Sequence, residues 1–356
     1  MSKDVISESQ YYKNTVDKRV LIIGLEPPPF GGVSVHIQRV AGRLSKNNKI
    51  QIIDIIKEFN RTSKFTYLFF LAKKLLSFKP NVIYYHVLFL RSGLGEFLIL
   101  GLFAKLFNKK LILIEHSARF LYKRSRFYKF CLNKFMYLVN QQVLIGLPML
   151  RAYQDNKIIL RNYVVESAFV APDLSYEHII LSHYPAHVHD FLARPGIKIL
   201  MNASKFGLWD GQDIYGFDFC LKLMRDYVEA PICLIMAVGT IHDQAHYRFV
   251  REQIKHDSRI FLLLNCEQEL WPLIKRVDIV VRPSRHDTYG ISVAESLFFG
   301  VPVIASDVTD RPVGCVLFKT GNYKSFKKSF YELYGKIMCK YYCSDAKSCR
   351  RSLPHA

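Results

Sequence analysis

Two carboxylates with seven residues between them, Asp287 and Glu295, bracket the most chemically pointed stretch of the chain. It runs Arg282-Pro-Ser-Arg-His-Asp-Thr-Tyr-Gly-Ile-Ser-Val-Ala-Glu295. Pro283 stops a strand, polar residues follow, and Gly290 brings backbone close to a neighbour before a helical pattern begins at Ile291. A helix that starts at such a loop offers N–H groups without intrahelical partners and the positive end of its dipole. That is a ready site for an anion. An acid on this kind of helix commonly meets ribose hydroxyls when the anion is a nucleotide phosphate. The chemistry offered here is anion binding beside two acids.

Those residues need a sheet to hold them. The β-branched run 278–281 predicts a buried strand before the loop, 291–299 a helix ended at Gly300, and 301–305 the next buried strand. The same alternation fills the chain. Strands are expected at 19–24, 50–56, 81–86, 110–115, 141–147 and 157–160, with helices at 33–44, 65–78, 95–107 and 123–139 between them. After a break at 161–196, strands follow at 197–202, 231–238 and 259–264, with helices at 214–227, 242–254, 267–275 and 323–337. Strands and helices in turn predict an α/β fold with parallel, doubly wound sheets, whose ligands sit beyond the carboxyl ends of the strands. That rule points to His86 and to Glu115-His116-Ser117. A lone histidine at a strand end is often only a hydrogen-bonded loop residue. At 356 residues the chain is comfortable for two domains, expected at 1–165 and 196–338, with a linker at 166–195 and a basic, cysteine-containing tail at 339–356.

The central stretch resembles the nucleotide-sugar site of retaining glycosyltransferases with two Rossmann-like domains facing across a cleft (the GT-B architecture). It resembles in particular the large fourth family of that group, the group 1 glycosyl transferases. The resemblance rests on Pro283-Ser284, Tyr289-Gly290, Glu295, Gly300-Val-Pro-Val-Ile-Ala-Ser306 and the seven-residue spacing of the acids. The chain departs from the pattern at Asp287, where the family has Glu. The resemblance implies that Glu295 holds the ribose, that Gly290, Ile291 and Ser292 offer backbone N–H groups to the phosphates, and that Asp287 orients the sugar. The family's Gly-Gly loop over the donor matches Gly31-Gly32, which follow three prolines and open the helix 33–44. Its strand-end histidine near the reacting sugar matches His116. Its basic residues for the diphosphate usually lie in a Gly-Arg…Lys-Gly setting. Here Asn202-Ala-Ser-Lys205 and Tyr215-Gly216 stand in those places, so Lys205 and Arg282 become the candidate phosphate cations.

Composition narrows the partners. Fifty Lys and Arg against 30 Asp and Glu give a formal charge of +20, which asks for an anionic partner. Two basic segments, 64–79 and 119–134, interleave cations with aromatics. Either they lie on an anionic membrane surface, or they are surface helices with a solvated basic face. No nucleic-acid motif accompanies them. The polar start, the scattered eight cysteines and an apolar run (97–107) too short to span a bilayer predict a cytoplasmic protein, peripheral on the inner membrane face. No phosphate-loop or dinucleotide fingerprint occurs. Neither does an Asp-x-Asp, and His178, His183, His187 and His189 lack a metal-site pattern. The resemblance implies a donor site without metal, and no cofactor is expected.

The resulting expectation is a retaining transfer from a nucleotide-sugar, with UDP- or GDP- as the base, to a lipid-linked saccharide in O-antigen, capsule or related surface polysaccharide assembly. The alternatives are a nucleotide-sugar epimerase or hydrolase on the same fold, or a non-catalytic basic binding protein.

Overall fold

The computed structural model describes residues 9–28, 30–61, 63–87, 94–117, 121–264 and 267–342. The chain divides into two compact units, one from Ser7 to Asp173 and one from Leu174 onward.

In the first unit, β1 (Arg19–Gly24), β2 (Lys49–Asp54), β3 (Val82–Val87), β4 (Lys110–Glu115), β5 (Gln141–Ile145) and β6 (Tyr163–Glu166) form one parallel sheet in the order β2-β1-β3-β4-β5-β6. The central strands are Val, Ile, Leu and Tyr runs buried on both faces, as helix-covered parallel strands must be. The crossovers are α1 (Gly32–Leu44), α2 (Ile55–Arg61), α3 (Lys64–Phe78), α4 (Leu94–Leu106), α5 (Arg126–Met136) and α6 (Leu147–Asp155). Two expectations shift here. The strand foreseen to residue 56 stops at Asp54, whose carboxylate accepts from the N–H groups of Ile56 and Lys57 and starts α2. The strand foreseen at 157–160 is the exit of α6, where Ile158 N–H still bonds Tyr153, and β6 begins at Tyr163.

The second unit repeats the plan. Its parallel strands β7 (Ile197–Phe206), β10 (Ile232–Ile241), β11 (Ile260–Leu264), β12 (Ile279–Arg282), β13 (Val303–Ser306) and β14 (Val316–Phe318) are ordered β11-β10-β7-β12-β13-β14. A small hairpin, β8 (Leu208–Trp209) and β9 (Gln212–Asp213), turns through Asp210 and Gly211, both at positive φ. Its helices are α7 (Glu177–Ser182), α8 (Ala186–Ala193), α9 (Phe217–Asp226), α10 (Gln244–Ile254), α11 (Trp271–Ile274), α12 (Ile291–Phe298) and α13 (Tyr323–Tyr342). The stretch read as a linker thus holds α7 and α8, and Tyr184, Val188 and Phe191 enter the core beneath the second sheet. The tail residues Cys343, Cys349, Arg350 and Arg351 lie outside the described residues, as do Arg119 and Phe120 of the second basic segment.

On the first sheet, α3, α4 and α5 pack side by side. Their inner sides bury Tyr67, Leu71 and Leu75, then Leu100 and Phe103, then Leu132 and Phe135. Their outer sides leave Phe65 (85% exposed), Phe69 (71%), Leu106 (76%) and Phe127 (68%) in water. These helices therefore show apolar groups on both sides.

Candidate functional site

In the second unit β12 pairs in parallel with β7 and ends beside Asn202, while β7 continues to Phe206; the chain leaves β12 into the 283–290 loop and α12. Gly290 caps α12 with φ +78 and no side-chain hydrogen bond, and the first turn carries no acid. A Cβ on Gly290 would lie 2.4 Å from Arg311 Nη1 and 3.0 Å from Asp287 Oδ2, so glycine is needed for space as well as for φ. In that first turn the Ser292 hydroxyl is buried without a hydrogen-bond partner. A buried polar group left unpaired is costly, and native structures rarely keep one without a reason. Glu295 lies on the same helix, 4% exposed.

Asp287 lies at the centre of an ion-pair cluster. Its Oδ2 accepts from Arg282 Nε at 3.0 Å, Arg311 Nη1 at 2.9 Å and Ser284 Oγ at 3.3 Å, while Oδ1 accepts from Thr288 N–H at 3.1 Å. Burial pushes this carboxyl up, but the Arg282 and Arg311 guanidiniums outweigh it and hold it well below the usual carboxylate range. Arg311 also donates to the carbonyls of Tyr289 and Ser306, which ties the far end of the loop to the end of β13. Arg282, a candidate phosphate cation, is engaged within the protein. Its guanidinium is buried, donates to Asp287 and to the Asn202 carbonyl at 2.8 Å, and lies over the Tyr215 ring. Tyr215 in turn hydrogen-bonds Ser204, so the places where the family has cations are tied together by hydroxyls. Arg285 is likewise engaged, donating to Asp218 and to the Asp213 carbonyl. The side chain of Lys205, near the end of β7, has no ion-pair or hydrogen-bond partner among the described residues. Of the two candidate phosphate cations, Lys205 is the one left available.

Gly216 has a backbone reason to be glycine. It opens α9 at φ +80, and a Cβ there would stand 2.4 Å from the Pro283 carbonyl oxygen.

The first unit gathers a different set. His86 on β3, His116 just past β4 and His36 on α1 meet at one end of the sheet, all buried. His86 Nδ1 lies 2.9 Å from His116 Nε2, and the two rings stack with centroids 5.2 Å apart. His36 presents its ring edge-on, 5.1 Å from His116. Its Nδ1 lies 2.8 Å from the Ala168 carbonyl and its Nε2 lies 3.1 Å from the Tyr11 hydroxyl. Burial keeps all three rings neutral, with His36 lowered to about 4 and the other two well below the usual histidine value. Ligand-capable atoms of the three lie within 4.8 Å of one another. The 2.9 Å contact is a hydrogen-bond distance, however, and both nitrogens of His36 already have partners, so a metal would have to break this network. At the start of α1, Gly31 N–H donates to Ser34 Oγ at 2.9 Å, and Gly31 has no neighbour that a Cβ would crowd. The structure places Gly32 as the first residue of α1.

Glu115, the neighbour of His116, takes no part in that network. Its carboxyl is buried and accepts from Tyr153, and burial, only partly offset by that bond, pushes it up to about 8. A cavity of about 760 Å³ in the same unit, lined by Lys18, Lys109, Lys110 and several asparagines, opens at the strands' amino ends. Two of those asparagines already accept from strand amides, Asn81 from Arg19 and Asn140 from Leu111. Sequence reasoning missed Arg311, His36 and Tyr11. Arg311 is one of fifty basic residues with no local signature, and His36 lies in an ordinary amphipathic helix.

Residues 207–335 match the family model described as Glycosyl transferases group 1. Over 312 residues the chain is 24% identical to an uncharacterized 41.2 kDa protein in the cps region of Klebsiella pneumoniae, with 79% of each chain covered. Among solved structures, Anabaena Alr3699/HepE in complex with UDP and glucose is similar at TM-score 0.62 and 11% identity, over 93% of this chain and 92% of that one. The same protein in complex with UDP-glucose gives 0.63 at 11% identity, over 90% and 91%. Sucrose-phosphate synthase (tll1590) from Thermosynechococcus elongatus gives 0.59 at 12% identity, over 89% and 90%. The two parallel six-stranded sheets with their helices are the GT-B fold.

Proposed function

We propose that the protein is a retaining glycosyltransferase that uses a nucleotide-sugar donor. The observation that carries this reading is the start of α12. A helix N-terminus without a side-chain cap, beside a buried, unpartnered Ser292 hydroxyl, is a pre-formed seat for a diphosphate. In this reading Gly290, Ile291 and Ser292 hold the phosphates, Glu295 holds the ribose, and Lys205 balances charge on the departing diphosphate. Stabilising that charge is the main electrostatic contribution to such a transfer. Asp287 and Arg282 act on the loop, keeping Gly290 in place, rather than on the ligand. His116 contacts the sugar, and Gly31 and Gly32 leave room for the donor. The family match over 207–335 and the UDP and UDP-glucose complexes of the structural neighbour support the donor class. The donor site works without metal.

The acceptor we propose is a lipid-linked saccharide of a surface polysaccharide. The relative in a cps region supports that setting. Phe65, Phe69, Leu106 and Phe127, among the lysines of α3 to α5, form the face toward an anionic membrane on its cytoplasmic side. Among the described residues no helix is long and apolar enough to cross a membrane.

The test is a thermal-shift screen of UDP-, GDP- and ADP-sugars in EDTA, on wild type, Ser292→Ala and Glu295→Ala. A ligand that binds only the folded state raises the melting temperature with its concentration. One donor should shift wild type and shift both variants less. No shift with any donor sinks the reading. A donor cleaved to free sugar at full rate without any acceptor favours the hydrolase alternative.

A further inference from the structure

The hydrogen positions in the histidine cluster can be worked out from partners alone. A carbonyl only accepts, so His36 carries its hydrogen on Nδ1, toward Ala168, and its bare Nε2 accepts from the Tyr11 hydroxyl. The His86–His116 pair has two solutions. If His116 donated from Nε2, neutral His86 would carry its hydrogen on Nε2. That atom is buried with no partner in reach. A buried N–H without an acceptor is among the rarest features of folded proteins. If His86 donates from Nδ1, its Nε2 is only a bare lone pair among ring edges.

We infer that His86 is a positioning residue, whose Nδ1–H holds the bare Nε2 of His116 and leaves His116 a hydrogen-bond donor through Nδ1. His116 then cannot act as a base through Nε2, because that lone pair is occupied. It offers an N–H to an oxygen, which suits a sugar hydroxyl. The His86 ring is fixed by its place on β3, where Gly24 on the adjacent β1 packs against its Cβ. The histidine face of His116 is set from the strand next to it, and His36 closes the far side edge-on. The assignment of the hydrogens rests on geometry. That the His116 N–H meets a substrate rests on the proposed function.

Two measurements decide it. Histidine-labelled wild-type protein, read by two-bond ¹⁵N–¹H correlation NMR at neutral pH and assigned with His86→Asn, should show His116 and His36 protonated on Nδ1 only. A hydrogen on His116 Nε2, a charged imidazolium at either ring, or a stoichiometric metal held by the three rings overturns the assignment. The second measurement is turnover of the donor found in the screen by His86→Asn, His86→Gln and His86→Phe. The Asn amide stands where the imidazole Nδ1 does and should keep most of kcat. Gln and Phe should lower kcat on the order of tenfold, the worth of one hydrogen bond, with donor Kd unchanged. Equal losses in all three, with the spectrum as expected, overturn the positioning role. Turnover of no donor by wild type removes the substrate role of His116, while the spectrum still decides its tautomer.

Discussion

The two strand-end clusters solve opposite problems. In the first unit, four side chains from distant segments meet with no net charge. Burial keeps His36, His86 and His116 neutral, and they meet through hydrogen bonds between uncharged groups and edge-on ring contacts. In the second unit, Asp287 is ionised between the guanidiniums of Arg282 and Arg311, both turned into the protein. A neutral cluster suits hydroxyl-bearing groups. A charged but internally compensated loop leaves the helix dipole and Lys205 as the groups proposed to meet an anion. The division of labour lies in protonation states more than in residue types.

The comparison breaks most readily at Asp287. Asp287→Ala leaves two buried guanidiniums without their anion, which costs about 3–5 kcal/mol. The second unit should then melt roughly 10 °C lower by calorimetry. An unchanged melt would mean the cluster is not compensated as described. The acid side of the same prediction has a definite sign. Because the Asp287 carboxyl is held below its ordinary value of 3.8, its stabilisation is complete above that pH and is lost as pH falls below it. Urea melts between pH 5 and 2.5 would show this.

Gly216→Ala comes next. The positive φ and the Pro283 carbonyl at 2.4 Å from the added Cβ should together cost about 1–3 kcal/mol, read from the urea midpoint. If the alanine variant is as stable as wild type, the loop does not pack on α9 this way.

A pH-dependent effect tests the neutral cluster's neighbour. Glu115 is raised to about 8, so its contribution is full below its ordinary value of 4.5 and is lost as pH rises through 8. Glu115→Gln should remove that slope, leaving the variant relatively more stable at pH 9 than at pH 5. Parallel pH profiles for the two proteins would refute the buried, protonated carboxyl.

The smallest stability effect belongs to the outer face of α3. Replacing Phe65 and Phe69 by Ser should change stability by less than about 0.5 kcal/mol each, because both side chains are in water. Sedimentation with anionic vesicles should nevertheless fall. Equal sedimentation would remove the membrane face from the proposal.

Much of this was legible in the chain. The run 278–306 read as strand, loop, helix and strand because β-branched residues, Pro283, Gly290 and Gly300 are local signals with local causes, and β12, α12 and β13 lie there. Less legible were the boundaries where a side chain decides between two uses of the same residues. Helix 214–227 shortened to Phe217–Asp226 because Asp213 draws the amides of Tyr215, Gly216 and Asp218 onto its carboxylate. Strand 197–202 lengthened to Phe206 because β10 supplies a partner out to Ile241.

The sequence by itself determined the alternation, the two parallel sheets and the positions of Glu295, Ser292 and His116 along their elements. Each follows from periodicity and turn chemistry within about twenty residues. Only the tertiary structure decided which groups face each other. Parallel pairing of β3 with β4 places His86 beside His116, thirty residues away, and the crossover after β13 returns Arg311 to Asp287, 24 residues away. Burial there then sets the charge on each group. No local signal encodes such meetings, because neighbouring strand ends are brought together by hydrogen bonds between strands far apart in the chain.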